Sequence, residues 1–256
     1  MSAEYVDGYT KQGVADLWQK HITEAHDPFR ELSGGLYDRI KCWVKANGFG
    51  TDHHLIDVGC GQGVTSLVAS EMGPLVTGVD ISKPLIEIAC RENAGNANVR
   101  FYVGDAADLF WVSPGEMDAG MMINAIFHLS PGVMEKAVSE MARVTRGPIL
   151  VTTVNPIAND FFASAFQNTE MTSLDKDDIF GPTVLVYGDP SIAGPDGTRI
   201  VLEGTPFYMH PTQKFERAYT KVGLKLTDYS TFGPTSAVGG PQDLDLFAAI
   251  QLEHVK

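Results

Sequence analysis

Between Leu55 and Asn155 short apolar runs alternate with amphipathic stretches, and this rhythm restricts the fold more than any other feature of the chain. LIDV, PLVTGVD, VRFYVGD, the centre of MDAGMMINAIF and GPILVTTVN read as five strands. VTSLVASEM, SKPLIEIACREN and PGVMEKAVSEMARV read as helices among them. Crossovers of this length require parallel strands, helices on both faces of the sheet and right-handed connections. Ser82 is placed to cap one helix, with Pro84 in its first turn, where a missing N–H does no harm. Further on, PTQKFERAYTKVG predicts a helix ended by Gly223, and KLTDYSTF and LDLFAAIQLE predict a closing antiparallel pair. The expected fold is α/β: a doubly wound, mostly parallel seven-stranded sheet with an antiparallel last strand.

The flanks read differently. VADLWQKHITEA puts Val14, Leu17, Trp18 and Ile22 on one helical face, and LYDRIKCWVKAN does the same for Leu36, Ile40, Trp43 and Val44, with Asn47 and Gly48 as its stop. Residues 1–50 are thus expected to form an N-terminal helical cover. Residues 156–206 break the strand–helix rhythm. ANDFFASAF has a helical pattern, but GPTVLVYGDPSIAGPDGT mixes Pro, Gly and Asp with isolated aromatics. The chain is therefore read as one domain: cover, cofactor-binding half 51–155, lid-like insertion 156–206, and a closing helix and strand pair 207–256.

Bulk properties exclude several functions. A net charge of −13 repels phosphate backbones and argues against a nucleic-acid substrate. Cys42, Cys60 and Cys90 lie far apart without zinc-ligand spacing, so no metal is expected, and their sparse, odd number fits a reduced cytoplasm. No basic leader with an apolar run opens the chain, and no apolar run reaches the ~18 residues of a membrane span. Serine-hydrolase and HExxH patterns are absent.

The turn after the first strand points to a ligand. LIDVGCGQG places glycine at 59, 61 and 63 directly after Asp57. A glycine-rich turn after a first strand commonly holds a nucleotide, and NAD is the usual occupant. Read from Gly59, however, the third glycine position of the dinucleotide pattern falls on Val64. Asp57 would also face a pyrophosphate; two like charges about 4 Å apart at an effective dielectric of 20 repel by roughly 4 kcal/mol. A cationic ligand reverses that sign. Two further carboxylates follow, Asp80 ending the second strand and Asp105 ending the third. Open α/β sheets bind ligands at these carboxyl ends.

LIDVGCGQG, VTGVDIS and VRFYVGDAADL together resemble the class I S-adenosylmethionine-dependent methyltransferases over roughly residues 50–155. The resemblance implies S-adenosylmethionine as cofactor. It implies that Gly59, Cys60, Gly61 and Gly63 bring backbone up to the methionine part, with Asp57 facing its amino-acid end. Asp80 would bind both ribose hydroxyls and Ile81 would pack on the adenine face. Asp105 would accept from the adenine amino group and the Ala106 N–H would face the ring. Asn124, after strand four, would border the methionine part. An NAD(P)-dependent oxidoreductase and a non-methylating S-adenosylmethionine-binding protein are the alternatives.

For the acceptor side, His128 follows in NAIFHL, either bordering the substrate or bonding backbone at a helix start. His210, in PFYMHP beside Tyr208, either reaches the pocket or caps the late helix. Tyr5 and Tyr9 either fold over the cofactor or lie in a mobile tail. Phe161, Phe162, Phe166, Phe180, Tyr187, Phe207 and Tyr208 either line an apolar pocket or form the insertion's own small core. His53 and His54 read as surface residues. His128, Tyr9, Tyr208 and His210 are the candidates for acceptor chemistry. The expected activity is methyl transfer to an oxygen, nitrogen or activated carbon of a small molecule with an apolar or aromatic portion.

Overall fold

The computed structural model describes residues 35–158, 169–173, 183–187, 191–193, 199–201, 207–210, 212–234 and 243–256. The elements run α1 (Leu36–Ala46), β1 (His54–Val58), α2 (Val64–Ser70), β2 (Leu75–Asp80), α3 (Lys83–Glu92), β3 (Val99–Val103), β4 (Ala119–Met122), α4 (Pro131–Val144) and β5 (Ile149–Val154). Then follow β6 (Thr169–Ser173), β7 (Thr183–Tyr187), β8 (Ser191–Ala193), β9 (Arg199–Val201), β10 (Phe207–Met209), α5 (Thr212–Lys221), β11 (Leu224–Pro234) and β12 (Asp245–His254). Single 3₁₀ turns occupy Ile126–His128 and Pro156–Ala158.

The main sheet has the order β11-β12-β5-β4-β1-β2-β3. Strands β1 to β5 are parallel, and β12 enters antiparallel between β5 and β11. The expected fold is therefore the observed one. β1 lies inside the sheet between β4 and β2, with Leu55, Ile56, Asp57 and Val58 all buried, as a strand covered on both faces requires. Leu36, Ile40, Trp43 and Val44 are the buried face of α1, matching the sequence spacing. Val133, Met134, Ala137, Val138, Met141 and Val144 are the buried face of α4, and Gly120 on β4 lets that helix approach: a Cβ there would lie 2.5 Å from Met141 Cε. No helix among the described residues is long and apolar enough to cross a membrane.

The insertion contributes strands that the sequence pattern does not predict. β6, β7 and β10 form a three-stranded antiparallel sheet, and β8 and β9 a separate hairpin. The predicted helix in 14–25 and residues 159–166 of the helical reading of ANDFFASAF lie outside the described residues. The reading of His53 and His54 as surface residues is corrected. Both are half-buried: His53 Nδ1 accepts from the Gly50 N–H, and His54 Nε2 bonds Thr77 Oγ1 at 2.8 Å, which ties β1 to β2 below the site.

Candidate active site

Reversal of strand order on either side of β1 opens a crevice at the carboxyl ends of β1, β2 and β4. Asp57, Asp80, Asp105 and Asn124 all belong to this edge of the sheet or to the turns leaving it. The glycine turn is drawn over the end of β2: the N–H groups of Gly59 and Cys60 both donate to Val79 O, at 2.7 and 3.1 Å.

Asp57 is fully buried. Its Oδ2 accepts from Thr65 Oγ1 and Ser66 Oγ, each at 2.7 Å. Its Oδ1 is buried with no hydrogen-bond partner among the described residues. An acceptor of this kind is costly in isolation and suits a donor brought by a ligand. Burial pushes the carboxyl up to about 6, against the pull of the Ser66 and Thr65 hydroxyls. The fold thus favours the protonated form, and stability falls as pH rises from about 4 through about 6; above that range the buried charge costs about 3 kcal/mol. Asp57→Asn is accordingly expected to remove this slope and to raise the melting temperature of the ligand-free protein at pH 7.5 by several degrees. Melting curves at pH 5 and 7.5 check this; an identical pH difference in both proteins would refute it.

Asp80 holds the turn in place. Its Oδ2 accepts from the Gly61 N–H and its Oδ1 from the Ser82 N–H, both at 2.8 Å. Burial raises its pKa, while the Ser82, Gly61 and Ile81 amides favour the charged form. Ser82 stands at the N-cap of α3 but makes no side-chain cap bond; the expected cap is corrected. Its N–H is already held by Asp80, and its Oγ is buried without a partner among the described residues. Ile81 is partly buried against the core.

The three glycines do different things. Gly61 has φ +54°, and a Cβ built there meets no atom of the described residues within 4 Å, so among them the space above it is open. A Cβ on Gly59 would lie 2.4 Å from Ala125 Cβ, and one on Gly63 2.5 Å from the Phe101 ring. Protein packing adds a reason for glycine at 59 and 63, beside their left-handed φ of +76° and +85°, and the close packing of the turn against β3 and α3 is supplied by Gly63. The Cys60 thiol is buried beneath the turn, raised well above its usual range by burial and by the Asp80 and Asp57 charges.

Asp105 Oδ1 accepts from the Ala107 N–H at 2.9 Å and its carbonyl from the Asp108 N–H at 3.0 Å, which folds the chain back immediately after β3. Ala106 is partly buried in that turn. Asn124 has φ +52°, in the left-handed region, and Thr152 of β5 holds it there. Its N–H donates to Thr152 Oγ1, and Thr152 Oγ1 donates to its Oδ1, both at 2.8 Å.

The histidines stand near one another. His128 ends the 3₁₀ turn after β4, its ring centroid 4.6 Å from that of Phe127, and burial lowers its pKa to about 3. His210 Nε2 lies 2.9 Å from Leu129 O and 3.2 Å from Ile126 O. Carbonyls only accept, so this nitrogen carries the proton and Nδ1 is an acceptor, buried without a partner among the described residues. The helix-cap reading of His210 is corrected: it pins the turn after β4 to the strand β10. Burial lowers its pKa to about 4, and buried Tyr208 stacks on it at 6.2 Å. Tyr5, Tyr9, Phe161, Phe162, Phe166 and Phe180 lie outside the described residues.

Sequence reasoning overlooked Thr65, Ser66, Gln62 and Thr152. Two small hydroxyls in the first turn after the glycines were the available signal for Thr65 and Ser66. Gln62 is buried with Oε1 unpartnered among the described residues.

The observed features fit S-adenosylmethionine: an orphaned buried carboxylate oxygen for its ammonium and, among the described residues, an open cradle over Gly61. Residues 55–147 match the family model of a methyltransferase domain. A magnesium protoporphyrin IX methyltransferase from Synechocystis PCC 6803, solved with S-adenosylhomocysteine, is 14% identical with a TM-score of 0.66, covering 97% of each chain. The CcbJ methyltransferase from Streptomyces caelestis is 14% identical with a TM-score of 0.59, covering 99% of each chain. The [4+2]-cyclase SpnF is 19% identical with a TM-score of 0.53, covering 86% of this chain and 80% of that one. The chain carries a methyltransferase domain over residues 55–147, consistent with a class I S-adenosylmethionine-dependent methyltransferase that uses S-adenosylmethionine as cofactor.

Proposed function

We propose that the protein methylates an oxygen, nitrogen or activated carbon of a small molecule with an apolar or aromatic portion. In this reading Asp57 faces the cofactor's ammonium, Asp80 takes the ribose diol, and Asp105 takes the adenine amino group. Ile81 and Ala106 flank the adenine, and Asn124 borders the methionine part. The buried, unpartnered Oδ1 of Asp57 carries the assignment, because it is an acceptor for which the described protein supplies no donor. When bound, S-adenosylmethionine supplies an electrophilic methyl group. The remaining work of the chain is to align the acceptor in line with that group and to exclude water. The turn carrying Asn124 and His128, held to β10 by His210, offers the acceptor side. A similar structure named for methylation of magnesium protoporphyrin IX supports such a substrate, and the acidic charge supports it over nucleic acid. The free thiols of Cys42, Cys60 and Cys90 support a cytoplasmic setting.

His128 and His210 are both neutral across the physiological range, their folded values of about 3 and about 4 lying below it. Each serves as a hydrogen-bonding or weakly basic group, and the pH–rate profile is expected to show no step near 6.5 from either. His128→Ala is expected to lower kcat by about 10²-fold with cofactor affinity within threefold. Assay with methyl-labelled S-adenosylmethionine and pooled small metabolites provides the test, and equal loss of turnover and affinity would make His128 structural. The likeness to a cyclase supports a second reading, cofactor binding without methyl transfer. Formation of S-adenosylhomocysteine with an acceptor separates the two.

A further inference from the structure

The stretch between β3 and β4 carries Asp105 and contains no helix or strand to steady it. Two side chains on α4 do so instead. The Leu109 N–H donates to Glu140 Oε2 at 2.7 Å. Arg143 Nη2 donates to Leu109 O at 2.9 Å and Nη1 to Val112 O at 2.8 Å. The same guanidinium grips Glu140 with Nε on Oε1 and Nη2 on Oε2, each at 2.7 Å. One planar fork therefore spans a carboxylate and two backbone carbonyls, a geometry available to arginine and not to lysine.

The clamped residues are anchors: Leu109 and Val112 are both 0% exposed. Between them Phe110 is 81% exposed and Trp111 turns outward to meet Tyr102, with ring centroids 5.3 Å apart, so packing secures only the two ends of this four-residue stretch. Upstream, Asp105 and Asp108 are bridged to each other, with the Asp108 N–H on Asp105 O. Clamp and carboxylate thus belong to one short, hydrogen-bonded unit: Asp105 bonds Asp108, and the next residue, Leu109, is held on both its N–H and its C=O.

We propose that Glu140 and Arg143 are positioning residues that set selectivity for the purine of the cofactor by fixing Asp105; this rests on the assignment of Asp105 to the adenine amino group. The 6-amino group of adenine donates, whereas the 6-oxo group of hypoxanthine accepts and faces a carboxylate unfavourably. A held Asp105 discriminates between them. A released one turns to water and does not.

The test is calorimetric titration of the full chain with S-adenosylhomocysteine and with S-inosylhomocysteine. The wild type is expected to prefer the adenine form by at least about tenfold, the equivalent of one charged hydrogen bond. In Arg143→Ala the preference is expected to fall below about threefold, mainly by weaker binding of the adenine form. Arg143→Lys keeps the charge but lacks the fork, and is expected to give an intermediate ratio even if the alanine variant folds poorly. A wild-type ratio retained in both variants, or an equal loss of affinity for both ligands, overturns the proposal. Equal wild-type affinity for the two overturns the Asp105 assignment and the clamp with it. A wild type binding neither removes the cofactor site itself.

Discussion

Gly61→Val abolishes cofactor binding while the protein stays folded: this is the expected result with the largest effect. A Cβ at Gly61 meets no atom of the described residues within 4 Å, so the substitution creates no clash with them. The cost to the fold is confined to the backbone, because φ +54° lies in the left-handed region. A side chain there costs about 1–2 kcal/mol, or more when β-branched, and in a chain of this size each kcal/mol lowers the melting temperature by about 2–4 °C. The open volume that the valine enters is the space over the turn where the cofactor belongs. Affinity for S-adenosylhomocysteine is therefore expected to fall by at least about 10³-fold, for a melting temperature lowered by about 10 °C or less. Gly63→Val is the contrasting variant. Its Cβ would lie 2.5 Å from the Phe101 ring and 3.3 Å from Ala89 Cβ, so the fold itself suffers. Calorimetry and thermal melting on both variants separate a ligand cradle from a packing contact. Wild-type affinity in Gly61→Val would show that the pocket lies elsewhere.

The second large effect is that of Asp80→Ala. Two charged hydrogen bonds to a ribose diol, at about 1.5–3 kcal/mol each, predict a loss of about 3–6 kcal/mol, which exceeds hundredfold in affinity. The variant also strips the acceptor from the Gly61 and Ser82 amides, so the turn loosens together with the ligand contact. Asp80→Asn distinguishes these contributions. It keeps one acceptor oxygen and restores part of the turn, yet lacks the charge that strengthens bonds to the diol. Its affinity is expected to lie between wild type and alanine. A change under threefold in Asp80→Ala would mean that the carboxylate serves the turn alone.

Much of this arrangement is legible in the sequence because its causes are local. The period of apolar residues in α4 and the full apolar run of β1 each encode their own burial, and an acid after a strand lies at the sheet edge by construction. The site features that escape such reading depend on distant partners. Nothing near His210 announces that it bonds Leu129 O, 81 residues earlier in the chain. Gly63 looks like ligand-facing glycine, but Phe101 decides its role. Thr152 supports Asn124 across two strands that only the sheet brings together. The insertion strands escaped for another reason. β8 and β9 are three residues each, shorter than the alternation by which a strand is recognised, and their flanks are rich in Gly, Pro and Asp.

The placement of β12 bears on how the molecule is made. This strand lies between β5 and β11, and both of its neighbours precede it in the chain. During synthesis the β5 edge must wait with its backbone N–H and C=O groups unpaired while roughly ninety residues emerge from the ribosome. Completion of the sheet is thus a late, long-range event, and the nascent chain passes through a window in which a chaperone, or another nascent chain, can occupy the place reserved for β12.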